Sequence, residues 1–143
     1  MLLAGRNKIG LTEAEIDYCL RVWEVLCGGR ERPLDISGAH RHNSRTRFEE
    51  NTNTVYLGAD VRPSGGITAN ARMSILACLA HELAHAERYE MGLSRPIELP
   101  DVLIDEAETS LHASFMSVLG SQDREDLVED ARDRLIEWLA RRP

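Results

Sequence analysis

The sequence predicts an α+β fold, and the order of its helix-like and strand-like segments supports this class. One amphipathic helical pattern comes first, short β-type runs follow between residues 33 and 59, and three further helical patterns extend from residue 70 to the C-terminus. Strands and helices are therefore grouped rather than alternating, which is typical of α+β domains. Because 143 residues suffice for one domain with a real core, we expect residues 1–143 to form a single domain.

The first helix has clear signals at both ends. Thr12 and Glu15 form a capping-box pattern, and Gly28-Gly29 marks the end of the helix. The apolar stripe between them has helical spacing and consists of Ile16, Leu20, Trp23 and Leu26.

The strand region is punctuated by glycine, proline and asparagine. The run PLDIS (33–37) predicts one strand, and RTRFEE (45–50) with TVYLGA (54–59) predicts a hairpin that turns at Asn51-Thr52-Asn53. The run VRPSGG (61–66) predicts a mobile loop because of its two glycines.

Three helices are predicted after this loop. The first runs from about Asn70 to Tyr89 and stops at Gly92. The second starts after Pro100, with Asp101 as N-cap, and ends at Gly120. Its expected apolar face consists of Ile104, Ala107, Leu111, Phe115 and Val118. The last helix begins at Ser121 and is expected to bury Leu127, Val128, Ala131, Leu135 and Leu139. Its acidic run QDREDLVED (122–130) is typical of a solvated helix face.

Composition excludes several classes of partner. The net charge of −7 argues against nucleic acid, because neutralising phosphates requires a basic face. No stretch approaches the roughly 18 apolar residues of a membrane span, and the N-terminal run MLLAGRNKIG lacks the pattern of a signal peptide. The three cysteines have no CxxC spacing, which predicts reduced, buried thiols in a cytoplasmic protein. The sequence does not specify the oligomeric state.

The motif HELAH (81–85) carries the strongest functional signal. Residues four apart lie on one face of a helix, so His81 and His85 can direct imidazole nitrogens at the same metal ion. Glu82 is rotated by about 100° from His81 and can reach a water beside that metal. Two neutral nitrogen donors beside a carboxylate are the groups that metal-assisted hydrolysis requires.

The alternative is that these polar residues lie on an amphipathic helix by coincidence. Average composition makes a chance HExxH rarer than about one in a hundred chains of this length. The preceding run ARMSILACLA (71–80) predicts a buried helix, where a His-Glu-His cluster without a metal would need several compensating hydrogen bonds. The motif therefore predicts a metal site, and zinc (Zn²⁺) is the expected ion because it favours imidazole and carboxylate ligands.

A catalytic zinc site needs a third protein ligand, which we expect in the segment LIDEAETSLHASF (103–115). The metzincin extension is absent, since Arg88 stands where its glycine belongs. Helical periodicity places Glu108 beside the expected apolar face and Glu106 nearly opposite, but a ligand has to face the cleft rather than the core. The residues alone leave four candidates: Asp105, Glu106, Glu108 and His112.

HELAH followed by Asp105-Glu106-Ala107 on a helix resembles the gluzincin zinc peptidases, the thermolysin-like class. Glu106 follows His85 by 21 positions, near that family's separation, and the helix is also similar to that of the short ImmA/IrrE-like bacterial peptidases. The resemblance covers residues 54 to about 119. It implies a zincin-like domain with a small antiparallel or mixed sheet on the HExxH helix and further helices C-terminal. It also implies Glu106 as third zinc ligand and places Ser110 where these enzymes often have an aspartate that supports a zinc-bound histidine.

The implied function is a zinc metallopeptidase that acts on a peptide or protein substrate, with Glu82 as general base. By the same resemblance, the strand TVYLGAD would be a sheet edge at which Val55, Tyr56 and Leu57 pair with an extended substrate. Candidates for stabilising the oxyanion are Arg88, Tyr89, His112 and one of His40 and His42, between which the spacing does not select.

A different class of function is compatible with the same motif. The chain could be a regulatory or binding protein of zincin fold, which recognises one partner without cleaving it. It could also be a toxin or effector module that acts on one dedicated protein target.

Overall fold

The computed structural model describes residues 5–142. The first four residues of MLLAGRNKIG and the last residue of the chain lie outside this range. The helices are α1 (Glu13–Cys27), α2 (Ala69–Arg72), α3 (Ile75–Glu90), α4 (Asp101–Ser114) and α5 (Ser121–Arg141). The strands are β1 (Leu34–Asp35), β2 (Arg47–Glu49) and β3 (Thr54–Tyr56), and one 3₁₀ turn spans Ala59–Val61. The predicted α+β class is confirmed.

The first helix forms as its caps predict. The side chain of Thr12 accepts a hydrogen bond from the backbone N–H of Glu15, and the Glu15 carboxylate accepts one from the backbone N–H of Thr12. Gly28 ends the helix in the left-handed conformation, with φ of 59°.

The sheet is mixed, and β3 is its central strand. Strands β2 and β3 form the predicted hairpin, with Phe48 opposite Val55, while β1 pairs with β3 in parallel. The strand order is β1-β3-β2, so β1 and β2 are the two edges of the sheet. Asn53 in the hairpin turn has a positive φ of 48°, a conformation that asparagine tolerates better than most residues.

The HELAH helix starts later than predicted. Thr68 caps the one-turn helix α2, and a separate cap at Ser74 starts α3, where the serine side chain accepts a hydrogen bond from the N–H of Ala77 at 3.0 Å. The extended backbone at Met73 and Ser74 separates the two helices. The expected start near Asn70 was therefore wrong, because a continuous apolar pattern concealed a second capping residue.

Helix α4 differs from its prediction at both ends and in its buried face. Pro100 rather than Asp101 occupies the N-cap, and the helix ends at Ser114 instead of Gly120. Phe115 is 82% exposed. Of the expected apolar face only Ala107 is buried, because α4 turns a mixed polar and apolar face inward. This face consists of Leu103, Asp105, Ala107, Thr109, Ser110, Ala113 and Ser114.

Helix α5 begins at Ser121 as predicted, but only two of the five residues expected on its buried face are buried. Leu127 and Ala131 are buried, whereas Val128, Leu135 and Leu139 are exposed. Charged residues take the remaining inward positions, namely Asp126, Asp130 and Arg134. The acidic run is thus only partly a solvated face, because two of its aspartates, Asp126 and Asp130, are buried and form ion pairs.

Helix α3 lies at the centre of the domain and contacts α1, α4, α5, β2 and β3. The three cysteines, Cys19, Cys27 and Cys78, are buried and free, as predicted. Burial raises the pKa of the Cys19 thiol to about 11 and that of Cys78 to about 12, so neither is a reactive thiolate at neutral pH. Among residues 5–142, no helix has both the length and the apolar character needed to cross a membrane.

Candidate metal centre

Two histidines of α3 and one glutamate of α4 form a compact cluster. Nε2 of His81 lies 2.8 Å from Oε2 of Glu106, and Nε2 of His85 lies 3.3 Å from the same oxygen. The two imidazole centroids are 4.7 Å apart, as expected for rings one helical turn apart. The structure thus brings His81, His85 and Glu106 together.

The donor atoms of this cluster fit a metal ion. One ligand atom from each residue lies within 4.8 Å of the other two. Bonds of about 2.0–2.1 Å at tetrahedral angles would place zinc ligands about 3.3 Å apart, which small side-chain movements can reach from these positions. The His-His-Glu group could therefore hold a metal ion, and its imidazole and carboxylate donors are those of zinc sites.

The cluster is buried on one side and open on the other. His81 is 1% exposed, whereas the side chains of His85 and Glu106 are each 15% exposed. His81 therefore faces the interior, and the other two residues border a cleft. This geometry leaves one side of the centre accessible to a small molecule or an extended chain.

A hydrogen-bonded chain supports His81 from behind. Nδ1 of His81 lies 2.9 Å from Oγ of Ser110, and this hydroxyl donates to Oδ2 of Asp130 at 2.7 Å. Ser110 thus contacts the ring at the position that the resemblance indicates. The carboxylate comes one step later, from α5, and the sequence prediction missed it. The helical spacing of Asp126, Asp130 and Arg134 beside Leu127 and Ala131 was the available signal for a buried charged face.

His85 has a comparable support from α4 itself. Oγ1 of Thr109 lies 3.3 Å from Nδ1 of His85 and donates its hydrogen to the backbone carbonyl of Asp105 at 2.6 Å. Because that hydrogen is used, the Thr109 oxygen is an acceptor towards the imidazole. Both imidazoles therefore have a hydroxyl oxygen at Nδ1 and direct Nε2 at Glu106.

The other candidates for the third ligand lie elsewhere. Glu108 accepts hydrogen bonds from Arg88 at 3.2 Å and from Nη2 of Arg95 at 3.0 Å. Asp105 accepts one from Arg88 at 3.3 Å and approaches His85 only from its Nδ1 side, at 3.7 Å. His112 contacts Glu87 at 3.2 Å. Of the four candidates, Glu106 alone belongs to the cluster.

Charge and burial shift the titration of this centre in the metal-free state. Burial opposes a charged imidazole, but the facing Glu106 carboxylate outweighs it and raises the pKa of His85 to about 9. Burial alone would raise the pKa of Glu106, yet the imidazoles of His85 and His81 hold it well below its ordinary value. The cluster thus favours a negative carboxylate beside a positive charge, which is also the electrostatic requirement for binding a cation.

Glu82 lies in the cleft beside this centre. The cleft has a volume of about 250 Å³, and α3 contributes Glu82 and His85 to it. Glu82 is 4% exposed, and burial raises the pKa of its carboxyl above the ordinary value. A carboxyl group with a raised pKa takes up a proton near neutral pH more readily, which is the property required of a general base that later acts as an acid.

No protein-family model, curated protein or solved structure matches this chain. The assignment of a metal centre therefore depends on the arrangement of its own side chains.

The edge strand β2 and the residues around it line the same cleft as His85 and Glu106. Residues 45–48 and Glu50 line the cleft. The expected substrate contacts at Val55, Tyr56 and Leu57 do not fit this topology. Strand β3 is paired on both sides, and the backbone N–H of Leu57 already donates to Asp35 at 2.8 Å. The free edge at the cleft belongs to β2, and the sequence could not reveal this because β1 is a two-residue strand with a distant partner.

None of the residues predicted to stabilise an oxyanion lines this cleft. Arg88 donates to the carbonyl of Leu93 at 2.9 Å and to the carboxylates of α4, while Tyr89 packs against Phe48. Nδ1 of His42 accepts a hydrogen bond from the N–H of Gly10 at 3.0 Å. The cations that do line the cleft are Arg45 and Arg47, which the sequence prediction did not single out.

Proposed function

We propose that the chain is a zinc-dependent peptidase, with His81, His85 and Glu106 as zinc ligands and Glu82 as general base. The observation that carries this proposal is the convergence of two Nε2 atoms and one carboxylate at the end of a cleft that also contains Glu82. The small mixed sheet against the HExxH helix, with two helices following it, is compatible with the zincin-like architecture that the resemblance implies.

Zinc, when bound here, supplies Lewis-acid polarisation of a carbonyl and lowers the pKa of a water molecule. The protein's own residues perform the proton transfers. Glu82 takes a proton from the attacking water and delivers it to the leaving nitrogen. Burial raises the pKa of the Glu82 carboxyl, which helps it to hold the proton between these two transfers. The hydroxyls of Ser110 and Thr109 hold the two imidazoles in place from their Nδ1 sides.

An extended polypeptide is the substrate that best suits the cleft. The edge of β2 has backbone groups that no strand covers among the described residues, and β2 lines the same cleft as Glu106. An extended peptide can add to such an edge as a further strand, so main-chain hydrogen bonds would position the scissile bond. Strand β2 replaces β3 in this role.

Cleavage of a mixed peptide library by the purified chain, followed by mass spectrometry, tests the proposal. The wild type is expected to cut in a zinc-dependent manner, and Glu82→Gln should lose about 10²–10⁴-fold in turnover while it still binds zinc. Glu87→Gln, a change of the same kind on the same helix and outside the cleft, should retain activity. Zinc binding without any cleavage by the wild type would reject the peptidase and favour a regulatory or binding protein.

A further inference from the structure

We propose that Asp130 is a positioning residue that selects the tautomer of His81, acting through the hydroxyl of Ser110. The proposal rests on the proposed role of His81 as a metal ligand, but it concerns the hydrogen positions of the protein itself. It assigns a role to α5, a helix that contributes no ligand to the cluster.

The chain of contacts from α5 to the cluster is buried throughout. Asp130 is 2% exposed and accepts the Ser110 hydroxyl at 2.7 Å. Nε of Arg134 lies 3.3 Å from both oxygens of Asp130, and Arg134 also donates to Oδ1 of Asn70 at 3.3 Å. Asp130 and Arg134 thus form a buried ion pair.

The hydrogen count along this chain has one solution when Nε2 of His81 carries no hydrogen, as metal binding requires in place of donation to Glu106. An ionised carboxylate only accepts hydrogen bonds, and a serine hydroxyl has one hydrogen to donate. The Ser110 hydrogen is therefore directed to Asp130, and its oxygen accepts from the Nδ1–H of His81. A neutral imidazole with hydrogen on Nδ1 has its lone pair on Nε2. Nε2 is the atom that faces Glu106 at 2.8 Å, so Asp130 makes the correct nitrogen available to a metal.

Without an ionised carboxylate at position 130, this preference is lost. Asp130→Asn keeps the size of the side chain but adds an NH₂ group that can donate to Ser110. Ser110 can then donate to Nδ1 of His81, which stabilises the tautomer with hydrogen on Nε2. That tautomer directs a hydrogen instead of a lone pair at the metal position.

His85 provides an internal comparison. The Thr109 hydroxyl donates its hydrogen to the backbone carbonyl of Asp105, and a carbonyl oxygen can only accept hydrogen bonds. The tautomer of His85 therefore does not depend on α5, and a change at Asp130 should affect His81 alone.

Nitrogen NMR of histidine-labelled protein tests the tautomer directly. The test uses metal-free Glu106→Ala protein at about pH 10, because the Glu106 carboxylate would otherwise accept a hydrogen from Nε2 and compete with Asp130. In this protein His81 should carry hydrogen on Nδ1; when Asp130→Asn is added, its population should shift towards Nε2–H, and His85 should not change. An unchanged His81 signal in Asp130→Asn would overturn the proposal, and the measurement remains valid even if the protein has no peptidase activity.

Zinc affinity, measured by chelator competition, gives the second readout. Asp130→Asn is expected to weaken zinc binding about 10–100-fold, the usual effect of removing a group that orients a metal-bound histidine. The matched control is Asp126→Asn, because Asp126 is also buried on α5 but pairs with Arg72 instead of Ser110. Equal loss of zinc affinity in both variants would indicate a structural effect of α5 and overturn the positioning role.

Arginine side chains beside the metal cleft form a second, independent feature, and they suit an acidic polypeptide segment as the bound partner. Arg45 and Arg47 line both the metal cleft and an adjoining groove of about 420 Å³. The other walls of this groove are Ser37, Gly38, Arg41, His42 and Ser44. The two cavities therefore share a wall at the N-terminal end of β2.

Two guanidinium groups in this groove have no acidic partner among residues 5–142. Arg47 pairs with Glu49 at 3.0 Å and lies over the Tyr56 ring, but Arg41 and Arg45 form no ion pair with a described residue. This is unusual on a chain with a net charge of −7. Guanidinium groups bind carboxylates in a bidentate manner. We infer that a substrate lying along β2, under the proposed function, places acidic side chains against Arg41 and Arg45.

Fluorescence anisotropy with labelled hexaglutamate and hexaglutamine peptides tests this inference on the uncleaving Glu82→Gln protein. Hexaglutamate should bind more tightly, and Arg41→Ser/Arg45→Ser should weaken its binding at least about tenfold. The control Arg21→Ser/Arg142→Ser removes the same charge outside the groove and should have little effect. Equal binding of both peptides, or equal loss in the control, would overturn the inference, whether or not the protein proves to be a peptidase.

Discussion

Oε2 of Glu106 lies 2.8 Å from Nε2 of His81, although the two residues are 25 positions apart and belong to different helices. This contact is one of several polar contacts that join α3 to α4. The same oxygen lies 3.3 Å from Nε2 of His85, so a single carboxylate satisfies both imidazoles in the metal-free protein. The three side chains are thus already close enough together to hold a metal ion.

The His85–Glu106 pair predicts a pH dependence for the metal-free protein. The pKa of His85 is raised from 6.5 to about 9, so its contribution to stability is complete below pH 6.5 and is lost as pH rises through 9. The pKa of Glu106 lies well below 4.5, so its contribution is present above pH 4.5 and is lost only in stronger acid. Metal-free protein should therefore unfold at a lower temperature at about pH 9.5 than at about pH 6.

Two glutamine variants test the origin of that dependence. Glu106→Gln should remove most of the difference in unfolding temperature between the two pH values, whereas Glu108→Gln should keep it. The Glu108 carboxylate pairs with Arg88 and Arg95 rather than with a histidine. A difference that persists in Glu106→Gln would show that another group causes it.

Thr109 is predicted to support metal binding through its hydroxyl oxygen at Nδ1 of His85. Thr109→Val has nearly the same shape but offers no acceptor, so zinc affinity should fall about tenfold or more. Thr109→Ser retains the hydroxyl and should bind zinc nearly as the wild type does. Isothermal titration of zinc into the three metal-free proteins measures this difference, and equal loss in both variants would exclude the hydrogen bond as the cause.

Two leucines of α5 should differ sharply in their effect on stability. Leu127 is fully buried at 0% exposure, whereas Leu139 is 53% exposed. Leu127→Ala should therefore lower the free energy of unfolding by about 2–5 kcal/mol, because it removes buried methyl groups and leaves a cavity. Leu139→Ala should change it by no more than about 0.5 kcal/mol. Urea denaturation gives both values, and similar losses would contradict the described orientation of α5.

Local signals in the sequence predicted the elements whose ends depend on nearby residues. The capping box at Thr12 and the glycine at Gly28 gave correct ends for α1, and the Asn51-Thr52-Asn53 turn gave the hairpin. The helical spacing of HELAH correctly placed His81 and His85 on one face. Each of these features is determined within one or two turns of the chain.

The features that the sequence did not predict depend on tertiary contacts. The inward face of α4 follows from the polar groups of α3 that it meets, which hydropathy alone cannot indicate, so Phe115 was assigned to the core. Asp130 was assigned to a solvated face because its partners, Ser110 and Arg134, become neighbours only when α5 packs against α4. The identity of the free sheet edge likewise required knowledge of the pairing between β1 and β3.

The zinc content of two matched variants tests the metal centre most directly. The wild type should bind one zinc ion per chain, measured by elemental analysis after dialysis. Glu106→Ala should lose that zinc, and Glu108→Ala, two residues along the same helix, should retain it. Loss of zinc from Glu108→Ala with retention in Glu106→Ala, or no zinc in the wild type, would contradict the proposed centre.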